Sequence, residues 1–145
     1  MRAVLQRVSH GKVSIDGRIT AEIGLGLVIL LGIGPDDGRE KVQSMARKIA
    51  ALRIFQDKQG KMNLSILDIE GSAIVVSQFT LYADTHRGNR PSFIEAAPPV
   101  LASPLVDYFI KCLGEQGVPT QSGEFGAHML VEVANDGPVT ILLEN

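Results

Sequence analysis

The stretch Leu25-Gly26-Leu27-Val28-Ile29-Leu30-Leu31-Gly32-Ile33, followed at once by Gly34-Pro35-Asp36-Asp37, decides the fold. A nearly continuous apolar run of this length reads as a strand buried on both faces. It is far short of the ~20 residues that span a bilayer, and glycines interrupt it. Beyond the break, Val42, Met45, Ala46, Ile49 and Ala50 recur at i, i+3, i+4, i+7 and i+8, the period of an amphipathic helix. Asp36 or Asp37 is the expected N-cap of that helix.

Working outward, Arg2 to Val8 sets Val4, Gln6 and Val8 against Ala3, Leu5 and Arg7, the two-residue period of a strand. Lys12 to Ile15, Asp16-Gly17 and Arg18 to Ile23 form a β-hairpin on an Asp-Gly turn. Downstream, Asp57-Lys58-Gln59-Gly60 is a turn, Ala73 to Phe79 is a second buried strand, and Thr85 to Ser92 is a polar loop. Ser103-Pro104 offers an N-cap and N1 pair. Leu105, Val106, Phe109, Cys112 and Leu113 then share one helical face, which ends at Gly114 or Gly117. Ala127 to Val133 and Val139 to Leu143 read as strands flanking an Asn135-Asp136-Gly137-Pro138 turn.

This order gives a mixed α/β chain of the α+β kind: one compact domain over residues 1–145, its β-sheet packed with two helices. Strict strand–helix alternation fails at both ends, which disfavours a doubly wound sheet. With 145 residues and 15.6 kDa, the folded chain is expected to expose roughly 7,000 Å² against about 22,000 Å² unfolded. That is enough burial for a core without metals or cross-links. The 45% hydrophobic content and mean hydropathy of +0.15 exclude a wholly disordered chain. One cysteine, Cys112, allows no internal disulfide, and the N-terminus lacks the apolar run of a signal peptide, so the cytoplasm is the expected location.

A net charge of −2 gives no support for a protein that coats a duplex, and five Phe, two Tyr and no Trp argue against an extended base-stacking platform. His10, His86 and His128 lie far apart without ligand spacing, so no metal and no cofactor are expected. Gly32-Ile33-Gly34 sits where a dinucleotide loop would begin, but Asp37 occupies the third glycine position and would repel a pyrophosphate. These glycines, and Gly24 and Gly26, read as strand-end glycines. No Gly-x-Ser-x-Gly elbow is present. Ser77 and Thr80 put hydroxyls where a buried strand meets a loop, either as site residues or as local backbone partners. Asn135 to Pro138 is either a plain turn or, should its proline peptide be cis, a rigid array of carbonyl acceptors.

Ser77-Gln78-Phe79-Thr80 together with Asn135-Asp136-Gly137-Pro138-Val139-Thr140 resembles the D-aminoacyl-tRNA deacylase family, as do Met1 to Gly17 and Phe125 to Val133. The resemblance implies an editing hydrolase that cleaves the ester between a D-amino acid, or mischarged glycine, and the 3′-terminal adenosine of tRNA. It implies a homodimer with each site at the subunit interface, which the uncovered edges of a small sheet make physically reasonable. Gly137-Pro138 would be a cis dipeptide inserted into the other subunit's site, holding the substrate amino group and leaving no room for an L side chain. Ser77, Gln78, Phe79 and Thr80 would line the pocket around the ester. Arg7 would brace the Gly-Pro loop, and Phe125 and Met129 would wall the adenine pocket. The tRNA 2′-hydroxyl would assist, so no triad or metal is required. His86, Arg87 and Arg90 are candidates for phosphate contacts. Two alternatives stand beside this reading: a non-catalytic dimeric tRNA-binding module, and a small-ester hydrolase with Thr80 or Ser77 as nucleophile.

Overall fold

The computed structural model describes all residues, Met1–Asn145. Its eight strands are β1 (Arg2–Ile15), β2 (Arg18–Ile23), β3 (Gly26–Gly32), β4 (Phe55–Gln56), β5 (Met62–Leu64), β6 (Ser72–Ser77), β7 (Thr120–Ser122) and β8 (Leu130–Glu144). Two helices, α1 (Arg39–Ala50) and α2 (Pro99–Glu115), and a 3-10 turn, Phe79–Tyr82, complete the chain. The main sheet runs β2-β1-β3-β6-β7, with β8 on the free side of β1. β3, β6 and β7 are mutually parallel, and α1 and α2 lie in the two crossovers that parallel pairing demands.

The sheet curls until its ends meet. The Gln121 side chain of β7 donates to the Glu22 carbonyl of β2 at 2.8 Å, and its oxygen accepts from the Glu22 N–H at 3.0 Å. One side-chain amide thus replaces a peptide of a neighbouring strand and nearly closes the sheet. The alternation of side chains then serves two cores. Leu27, Ile29, Leu31, Ala73 and Val75 pack beneath the helices, while Val28, Ile74 and Val76 fill the inside of the curled sheet with Val8, Val13, Ala21 and Ile23. This is why Leu27 to Ile33 needs no polar face, while Leu25, ahead of the strand, stays half exposed.

The hairpin forms on Asp16 (φ 50°) and Gly17 (φ 76°), the paired positive φ values of a type I′ turn. Two local readings are corrected, and one open alternative is decided. First, Asp36 and Asp37 do not cap α1, whose N-cap is Gly38 without a side-chain bond. Asp37 is buried instead, accepting from the Met1 ammonium at 2.8 Å, the Gly34 N–H at 2.7 Å and Lys41 Nζ at 3.0 Å. Second, α2 starts at Pro99 rather than at Ser103-Pro104, and Pro104 lies inside it. Pro99 satisfies the N1 rule earlier in the chain, and the extra turn buries Ala102. Of the two glycines expected to end the helix, Gly114 is helical, while Gly117 (φ 93°) follows the last residue, Glu115, and the cap, Gln116, and stops the helix. Gly117 N–H bonds the Gly114 carbonyl, and Val118 N–H that of Leu113, in a Schellman motif.

Burial pushes the Asp37 carboxyl up, but its bonds from the ammonium, Gly34 and Lys41 outweigh this and hold it below the usual carboxylate range. A depressed folded pKa gives stability that is present above the unfolded value of about 4 and lost as pH falls through the folded one. Asp37→Asn leaves a buried ammonium unpaired and is expected to cost about 3 kcal/mol at pH 7. That gap between variant and native protein closes in urea denaturation below about pH 4.

Candidate active site

β3 and β6 end side by side, Leu31 opposite Ser77, and the ladder continues through the Gln78 N–H to the Leu31 carbonyl at 2.8 Å. The carboxyl ends of parallel strands commonly open onto a binding crevice, because the chain there leaves the sheet for its crossover. Here the departing chain turns through Phe79–Tyr82. A Cβ at Gly32 would lie 3.2 Å from the Tyr82 ring and one at Gly34 2.8 Å from its hydroxyl, so these glycines make room for the turn. Arg2 fixes it, donating to the Leu81 carbonyl at 2.8 Å with its guanidinium over the Tyr82 ring, 4.6 Å from the centroid. Burial, with the Asp37 carboxylate nearby, pushes the Tyr82 hydroxyl up to about 12, so it remains a donor.

A cleft of about 620 Å³ opens at this edge. Ser77, Gln78 and Phe79 form one wall, Phe93 and Ala96 to Pro99 a second, and Phe125 to Met129 a third, with Ala102 and Val106 of α2 at the base. Of the nineteen lining residues thirteen are hydrophobic, which suits a flat ring better than an ion. Phe79 and Phe93 meet edge to face, their centroids 5.1 Å apart, and Phe79 stays half exposed at the mouth. The strand expected to run to Phe79 therefore stops at Ser77, and its last residues become cleft wall.

Thr80 does not line the cleft, and its hydroxyl accepts a hydrogen bond from Gln78 Nε2. Neither Ser77 nor Thr80 bonds an imidazole or a carboxylate. The three histidines stay apart: His10 bonds Glu22, His86 bonds Asp84, and His128 lines the cleft. Sequence reading missed His128, Phe93 and the proline pair Pro98-Pro99. The only signal for the last two was an apolar segment resuming directly after the polar loop.

The Asn135 to Pro138 segment is not a turn between two strands. β8 runs unbroken along β1, but Gln6 pairs with Thr140 and Val8 with Asn135, so Asp136 to Val139 bulge out opposite the single residue Arg7. The strand expected over Ala127 to Val133 starts only at Leu130. Asn135 shapes the bulge, its Oδ1 accepting the Val139 N–H at 2.8 Å and its Nδ2 donating to Gln6 and Thr140. The Gly137–Pro138 peptide is cis. Asp136, Gly137 and Pro138 are exposed and stand outside this chain's own cleft. Arg7 is 3% exposed, yet its guanidinium reaches two segments. Nη1 donates to the Ile54 carbonyl at 2.7 Å, while Nε donates to the Asp136 carbonyl at 3.0 Å and lies 3.3 Å from its carboxylate. The structure thus joins Ser77, Gln78, Phe79, Phe125 and Met129 in one cleft, and Arg7 with Gly137 and Pro138 at a separate exposed bulge.

Fold and cleft together define an α+β protein with an apolar, ring-sized crevice at the carboxyl edge of a nearly closed sheet. A family model described as D-Tyr-tRNA(Tyr) deacylase matches residues 4–144, and the chain belongs to that family. Curated proteins named D-aminoacyl-tRNA deacylase are similar along the whole chain. That of Thermomicrobium roseum is 56% identical over 145 residues, covering 100% of this chain and 94% of the relative. That of Thermosipho africanus is 50% identical, covering 100% and 97%. A solved structure titled c-Myc DNA Unwinding Element Binding Protein superposes with a TM-score of 0.93 at 39% identity, covering 100% of this chain and 99% of that one. A probable eukaryotic D-amino acid tRNA deacylase shares the fold at TM-score 0.85 and 17% identity, covering 98% and 97%.

Proposed function

We propose that this chain is a D-aminoacyl-tRNA deacylase, a hydrolase that cleaves the ester joining a D-amino acid or mischarged glycine to the 3′-terminal adenosine of tRNA. The observation that carries the reading is the placement of Ser77-Gln78-Phe79 in an apolar cleft large enough for a nucleoside, in a chain of this family. Phe125 and Met129 wall the adenine, and the Ser77 hydroxyl and strand-end backbone groups face the ester. Water adds to the ester carbonyl, the bond to O3′ breaks, and the ribose oxygen leaves as a hydroxyl. The neighbouring 2′-hydroxyl assists that proton movement, so the protein chiefly positions the substrate.

The chiral filter is Gly137-Pro138, delivered by a second copy of the chain. Its exposed bulge on an uncovered fifteen-residue edge strand supports this, as do the exposed Leu130 and Leu142 of the same strand. A backbone filter accepts many side chains and refuses one hand by unavoidable clash. Substrate and family point to the cytoplasm, and no helix is long and apolar enough to cross a membrane.

Thr80→Ala separates positioning from covalent catalysis. A positioning hydroxyl gives a loss within about tenfold, whereas a nucleophile gives a loss of about a thousandfold or more. Single-turnover hydrolysis of D-tyrosyl-tRNA by Thr80→Ala and Ser77→Ala is the test. A thousandfold fall in either variant, with an acyl-enzyme trapped on the native protein, overturns the water-attack reading.

A further inference from the structure

The excursion from Ser77 to Pro99 builds two cleft walls and, between them, a polar hairpin that the cleft does not use. Asp84 and Ser92 close it with paired backbone bonds of 2.8 and 2.9 Å. Asp84 Oδ1 also accepts from the His86 N–H at 2.9 Å and contacts its ring at 2.7 Å, ordering the first side of the tip. With that acid committed locally, Arg87 and Arg90 remain exposed with no ion-pair partner. Thr85 to Ser92 therefore carries two unpaired positive charges on a chain whose net charge is −2. Phe93 follows Ser92 directly and packs on Phe79 at the cleft mouth, so the hairpin springs from the mouth itself. Four residues carry its tip at most ~13 Å beyond the closing pair.

We infer that this hairpin is a phosphate clamp. Arg87 and Arg90 hold backbone phosphates of the acceptor strand just before the terminal nucleoside that occupies the cleft. The inference rests on the tRNA-directed reading above and adds the contact that makes a nearly neutral protein prefer a nucleotide chain to an isolated nucleoside. Guanidinium groups suit this role because their donors pair with phosphate oxygens and never lose their charge. His86, held by Asp84, leaves the two arginines as the clamp.

The test compares native protein with an Arg87→Ala/Arg90→Ala double variant on D-tyrosyl-tRNA and on D-tyrosyl-adenosine, which has no phosphate. The expected result is a KM for the tRNA substrate raised about tenfold, with KM for the adenosine ester unmoved. Two lost single-strand contacts flatten the slope of log KM against log salt by about 1.4. That makes native KM rise about sevenfold more than the variant's between about 50 and 200 mM salt. Arg87→Lys/Arg90→Lys restores most of the slope, and Lys58→Ala/Lys61→Ala, on a turn that lines no part of the cleft, leaves it unchanged. An unaltered tRNA KM and salt slope in the double alanine variant overturns the clamp while leaving the deacylase reading intact. Should native protein cleave neither ester, the deacylase reading fails by itself. Filter binding of uncharged tRNA then decides the clamp, and equal affinity in native and variant protein overturns it.

Discussion

Arg7→Ala is expected to lower turnover of D-aminoacyl-tRNA at least a hundredfold and to destabilise the fold by about 3 kcal/mol. Both effects follow from one buried guanidinium with two duties. It satisfies the Ile54 carbonyl behind it and holds the Asp136 carbonyl at the foot of the bulge in front. Removal leaves a cavity, a buried carbonyl without its charged donor at about 1.5–3 kcal/mol, and a bulge tied down on one side only. Arg7→Lys keeps the charge but not the fork, and an ammonium cannot serve two partners on opposite sides. It should recover most of the stability and little of the turnover. Urea midpoints with single-turnover rates on D- and L-tyrosyl-tRNA make the comparison. A folded Arg7→Ala protein whose turnover stays within threefold of native would show that the bulge needs no brace.

Gly137→Ala is expected to degrade chiral selectivity, lowering the D/L rate ratio at least tenfold. Gly137 has φ 129°, where an L side chain is strained, and its added Cβ would lie 2.8 Å from Val139 Cγ2 and 2.9 Å from Arg7 Nη2. Val139 is buried and Arg7 is held by Ile54, so neither neighbour can withdraw and the bulge must move. The local strain is about 1–3 kcal/mol. A marginal fold survives that, but a filter built from backbone position does not. Thermal denaturation confirms that the variant is folded, and the D/L ratio then reads the filter. A ratio equal to that of native protein would place chiral selection elsewhere in the site.

The elements legible in the sequence were those whose burial follows a local period. Leu25 to Ile33 and the Val42 to Ala50 face needed nothing beyond their own spacing. What failed depended on partners distant in the chain. Asp37 looks like an N-cap because cap chemistry is local, whereas its partner is the amino group of Met1. Ser103-Pro104 and Pro98-Pro99 are comparable helix starts on local grounds, and burial of Ala102 decides between them. Asn, Asp, Gly and Pro serve a turn and a bulge equally well. Only the register against β1, with four residues opposite Arg7, tells the two apart. Of the cleft, the residues themselves pointed only to Ser77, where a buried strand meets a loop; Gln78, Phe79, Phe125 and Met129 came with the family resemblance, and His128 and Pro98-Pro99 carry no pattern that joins them to Ser77.

The chiral hydrolase is tested most directly by comparing amino-acid release from matched D- and L-tyrosyl-tRNA at catalytic protein concentration. It requires that D-tyrosine be released in many turnovers while L-tyrosyl-tRNA survives. Survival of both esters would contradict the hydrolase, and cleavage of both at similar rates would contradict the filter assigned to Gly137-Pro138.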